Sequence, residues 1–130
     1  MTDDPLVGVA AALQVATAVG IGLFWLTWFR QPHTEEWLPT GYVEHERVFV
    51  YSDTVLAALL VISAVLAAFE RSWGATLGLV CAGMLLFLGV IDAAYFAQHG
   101  MFARGRGGLV NGGVVAAVLI VSVFLVVAYG

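Results

Sequence analysis

The chain contains no lysine at all, and its five arginines face nine acidic residues, for a formal net charge of −4. Phosphate binding requires a basic surface, so nucleic acid is not an expected partner. Charged residues make up only 11% of the 130 residues, against roughly 25% in an ordinary soluble domain. There is a single cysteine, Cys81, within an apolar run. One cysteine excludes an internal disulfide and a CxxC redox pair, and a small packing role is expected of it. No period of 20–50 residues recurs, which excludes a solenoid. No cofactor-binding pattern is present, so no cofactor is expected.

What is abundant is apolar. Hydrophobic residues reach 62%, with a mean hydropathy of +0.97. A soluble chain this short has too little interior to hide that surface, whereas a bilayer accommodates it. Spanning a bilayer takes about 20 apolar residues per helix. Residues 6–29, 48–69, 73–97 and 109–129 meet that length. The first run follows an acidic N-terminus, Asp3-Asp4-Pro5, and is too long for a signal-peptide core, so it reads as a retained membrane helix. The expectation is one all-α domain over residues 1–130, a four-helix transmembrane bundle with up-down connectivity. The break at residues 70–72 is so short that the second and third helices form an antiparallel hairpin.

Four spans place both termini on one side. The longer loops at residues 30–47 and 98–108 hold Arg30, Arg47, Arg104 and Arg106, while the terminal side holds Arg71. The positive-inside rule then puts these loops in the cytoplasm and both termini outside, in a cell membrane. Trp25, Trp28 and Tyr51 near the loop side, with Trp73 and Tyr129 at the other, read as headgroup-level anchors. Small residues spaced for close packing occur in every helix, including Gly8, Ala12, Ala16 and Gly20 in the first, Gly74 and Gly78 in the third. The same stripes suit self-association into a homo-oligomer or docking into a larger membrane complex. In the first helix Gln14 calls for an interhelical partner, and Thr17 is expected to bond its own backbone.

The ionisable groups inside the spans carry the functional expectation, because such groups are costly there and mark function by default. Asp53 and Asp92 sit about five residues inside their boundaries, roughly 7–8 Å deep at 1.5 Å per residue. Similar depth on antiparallel neighbours makes them a facing pair. If the second helix begins near Tyr42, then Glu46 lies on the face of Asp53, two turns nearer the surface. Asp92, Tyr95 and His99 form one column on the third helix, and Asn111 opens the fourth. Two close carboxylates do not both ionise easily, so they favour a proton or a cation between them.

The reading is a non-enzymatic membrane protein that binds or conducts a proton, a cation or a cationic organic molecule. Asp53 and Asp92 are the ligand carboxylates, Tyr95 and Asn111 orient them, and Glu46 and His99 line the entrance. Two alternatives stand beside it. In an accessory subunit of a membrane complex, arginines would cap the aspartates and no cavity would form. In a lipid-modifying enzyme, Asp92 or Asp53 would act as general acid or base, with a slot opening sideways to lipid beside an aspartate–histidine pair. His33, Glu36 and His45 in and beside the first loop are metal-competent side chains, although their spacing fits no established zinc pattern.

Overall fold

The computed structural model describes residues 2–34, 38–102 and 105–130. It contains the helices α1 (Pro5–Arg30), α2 (Tyr42–Ala68), α3 (Ser72–Gln98) and α4 (Gly105–Tyr129), and no strand among the described residues. All four helices are long and apolar enough to cross a membrane. The protein is a small integral membrane protein with an all-α four-helix bundle fold.

Local chemistry sets the helix ends. Asp4 caps α1 by accepting from the Leu6 amide at 2.9 Å and the Val7 amide at 3.4 Å, with Pro5 in the first turn, where a proline loses no hydrogen bond. Gly41, at φ +81°, turns the chain into α2, which starts at Tyr42, six residues before its apolar run. That extra turn and a half carries Glu46 into the bundle. α2 and α3 each end on a left-handed residue followed by a closing bond. Gly100 (φ 65°) precedes Met101, whose amide reaches the Phe96 carbonyl at 2.8 Å. Glu70 (φ 61°) takes the same part in the α2–α3 turn, where the Arg71 amide reaches the Leu66 carbonyl at 2.8 Å. Glycine is the usual residue in such a cap.

The helices form a ring in which α1 packs on α2, α2 on α3, and α3 on α4, with a lesser α1–α4 contact closing it. The hairpin predicted for residues 70–72 is present. Its two arms touch at Gly74, where an added Cβ would run into the Ala67 backbone. Gly78 lies against the Tyr129 ring and Gly89 against Leu119, so the small residues of α3 serve close helix approach as expected. The stripe on α1 does not. Gly8, Ala12, Ala16 and Gly20 are exposed, and nothing lies within 4 Å of a Cβ at Gly8 or Gly20. α1 packs through Ala10 and Gln14 instead, both at 0% exposure.

Buried polar bonds tie the terminal half of the ring together. The Tyr129 hydroxyl donates to Gln14 Oε1 at 2.6 Å, and Gln14 Nε2 donates to Ser63 Oγ at 2.8 Å. Ser63 in turn donates to the Gly74 carbonyl at 2.7 Å, so the chain crosses all four helices. Gln14 thus has the interhelical partners it required, and Thr17 bonds the Leu13 carbonyl of its own helix at 2.7 Å. The five aromatic anchors divide. Tyr51 and Trp73 are exposed, in keeping with headgroup contact, but Trp25, Trp28 and Tyr129 are 5–8% exposed and belong to the interior. Their polar atoms account for this placement, because each finds a protein partner rather than a headgroup.

Candidate functional site

The loop-side half of the bundle holds a cavity of about 340 Å³, lined from all four helices. Its size falls within the ~300–1,000 Å³ of ordinary small-molecule sites. α2 contributes Glu46, Phe49 and Asp53, and α3 contributes Leu88, Asp92 and Phe96. α1 adds Gly20 and Phe24, and α4 adds Val110, Asn111 and Val114. Asp53 and Asp92 therefore do share one space, and Glu46 joins them. The periodicity that aligns Glu46 with Asp53 holds because α2 begins early enough to carry both on one inward face.

The three carboxylates are differently held. Asp53 is 8% exposed, and its Oδ2 accepts from the Trp25 indole nitrogen at 2.9 Å. Glu46 is 7% exposed, and its Oε1 has no hydrogen-bond partner among the described residues. Asp92 is half-buried on the adjoining wall, supplied by α3. Glu46 lies close enough to both aspartates to feel their charge, and Asp92 feels that of Asp53. Among the described residues no arginine pairs with them, and Arg30 and Arg47 are exposed. Arg104 lies outside the described residues, as does the Arg106 side chain. Buried carboxylates without a countercharge are expensive in apolar surroundings. An ordinary packed core does not retain them.

The remaining candidates fall around the cavity or away from it. Asn111 lines it, while its Nδ2 donates to the Met101 carbonyl at 3.1 Å and so also pins the α3–α4 connection. Tyr95 and His99 are not part of its wall. The Tyr95 ring stacks on His45 with centroids 3.8 Å apart and planes 6° from parallel, and His99 sits beside it at 4.5 Å. The Thr27 hydroxyl bonds the Leu23 carbonyl within its own helix and takes no part in the cavity. His33 bonds the Trp28 carbonyl at 2.8 Å and packs on the Trp28 ring. Glu36 lies outside the described residues, and no three metal-competent side chains converge among the described ones.

Four contributors carry little sequence signal. Trp25 resembles any interface tryptophan until its partner is seen. Phe24, Phe49 and Phe96 resemble lipid-facing or core residues, yet all three line the cavity beside the acids. Aromatic faces attract cations, most of all where water is excluded. The site thus combines three carboxyl groups with aromatic side chains inside an otherwise apolar wall. No family model, no curated protein and no solved structure matches the chain.

Proposed function

We propose that this protein binds a small organic cation of the ammonium type in the cavity between its four helices, with Asp53, Asp92 and Glu46 as the countercharge. The observation that supports this most directly is the unpartnered Glu46 Oε1 on the wall of a cavity that also holds two aspartates. The phenylalanines favour an organic ammonium over a bare metal ion, since a metal wants several converging oxygens and waters. Tyr95 and His99 act from behind the wall, through the ring stack against α2. By the arginine count of its loops, the acidic end of the cavity lies toward the cytoplasm and both termini face outward, in a cell membrane.

Equilibrium dialysis of phenyltrimethylammonium against the protein in neutral-lipid nanodiscs tests the reading. The wild-type protein should bind one cation per chain. Asp92→Asn and Glu46→Gln should each weaken binding about tenfold or more, the scale of losing one charge from a desolvated pair. Unchanged affinity in both variants, or no saturable binding by the wild-type protein, overturns it.

A further inference from the structure

We infer that the cation carries an alkyl tail and enters from the bilayer, through a slot between α1 and α4, as a single-tailed amphiphile with an ammonium head. This rests on the cation-binding reading of the same cavity and adds the ligand's class and its route.

The ring of helices is least closed at α1–α4. In the terminal half this seam is shut by Tyr129 bonded to Gln14, within a core that includes Ala10 and Leu125. In the loop half it stands open. Phe24 and Val114 line the cavity and yet are each 43% exposed on the outer surface, and Val110 is 57% exposed. Gly20 and Ala117 are likewise exposed cavity residues. A residue that both walls a cavity and reaches the outside marks a mouth, and this mouth lies along membrane-crossing helices.

Polarity is graded along the slot. Glu46 and Asp92 stand toward the loop end, with Asp53 nearest the bundle centre of the three by helix position. Deeper toward the midplane the wall is Ile21, Leu88, Val118 and Val121. Thr17 is there too, but its hydroxyl is committed to its own helix. From Val110 to Val121 the α4 wall runs about 16 Å along its axis, the reach of a medium alkyl chain. Charge near the surface and apolar wall toward the midplane is the order in which a membrane amphiphile presents its own head and tail. The negative charge selects the sign of the head. A fully hydrated cation arriving from water has no use for an opening onto lipid.

Dodecyltrimethylammonium and its uncharged analogue dodecanol, each radiolabelled and dialysed against nanodisc-held protein, test this beside phenyltrimethylammonium. Gly20→Leu places a side chain in the mouth at a position with nothing within 4 Å. Gly8→Leu, equally open but remote from the cavity, is the control. The long-tailed cation should bind at one site per chain and dodecanol should not saturate. Gly20→Leu should weaken the long-tailed cation about tenfold or more, and Gly8→Leu should leave it unchanged. If the short cation binds but Gly20→Leu leaves the long-tailed one at wild-type affinity, the lateral route is wrong and the acidic site stands. Equal binding of dodecanol overturns the cationic head. A particle of two chains that Gly20→Leu splits assigns the slot to a second copy and overturns the proposal. Failure of both cations to bind overturns the site and the route together.

Discussion

The indole nitrogen of Trp25 donates to the carboxylate of Asp53 across 2.9 Å, joining α1 to α2 at the floor of the acidic cavity. Both residues are more than nine-tenths buried. Trp25→Phe keeps an aromatic ring and removes the donor, leaving the carboxylate oxygen without its partner. A hydrogen bond to a charged group contributes about 1.5–3 kcal/mol. The variant should lose that much stability in a denaturant titration in mixed micelles. Adding Asp53→Leu, which removes the stranded acceptor, should recover part of it. A single variant as stable as wild type would show that the bond holds nothing together.

Glu46 is expected to set stability against binding. Its side chain is buried with one oxygen unpartnered, and such a group costs about 1–3 kcal/mol. Glu46→Leu should therefore unfold at a higher temperature than wild type in the absence of ligand, and should bind organic cations poorly. A lower melting temperature would mean that Glu46 is a structural member of the bundle.

Glycines that look alike in sequence should respond in opposite directions. At Gly74 a methyl group collides with the Ala67 backbone, which has no rotamer to give. Gly74→Ala should cost about 1–3 kcal/mol and loosen the α2–α3 hairpin. At Gly113 nothing lies within 4 Å, so Gly113→Ala should stabilise α4 by up to about 1 kcal/mol through helix propensity. The sign of the two shifts in the same unfolding assay decides the matter.

Glu70 holds a left-handed backbone position at φ 61° in the α2–α3 turn. A non-glycine residue there is disfavoured by about 1 kcal/mol or slightly more. Glu70→Gly should raise stability by about that amount in the same unfolding assay. A destabilised variant would reveal another task for the side chain.

The Tyr129 hydroxyl starts the bonded chain through Gln14 and Ser63 to the Gly74 carbonyl. Interhelical hydrogen bonds in membranes average about 0.6 kcal/mol and reach about 1.7. Tyr129→Phe should lose an amount within that range, and the Gln14 side-chain carbonyl stretch should move to higher frequency in the infrared spectrum as its oxygen loses a donor. No change in either measurement would place the ring packing on Gly78, rather than the bond, in charge of the terminal seam.

Much of the architecture was legible from residue order alone. Four apolar runs of bilayer length, separated by short polar breaks, leave few alternatives to a four-helix membrane bundle. The alignment of Glu46 with Asp53 followed from helical periodicity once α2 was allowed to start at Tyr42. The need of Gln14 for a partner followed from burying an amide where no water reaches. Faces were harder. Helices that are apolar all round carry no contrast between the side that meets lipid and the side that meets protein. The stripe Gly8, Ala12, Ala16 and Gly20 therefore looked like a contact and is exposed. Aromatic residues near helix ends pose the same ambiguity, since an indole or phenol satisfies its polar atom equally well at a headgroup or on a buried neighbour. For Trp25 and Tyr129 the neighbour won.

Composition and spacing by themselves determined the number of bilayer-length spans and that acids lie within them, because those depend only on length and hydropathy. Only the tertiary structure decided that α1 and α4 meet at one end and part at the other, that Trp25 takes Asp53, and that three phenylalanines stand beside three carboxylates. These are relations between residues far apart in the chain, settled by which helix faces fit together, and no local pattern encodes them.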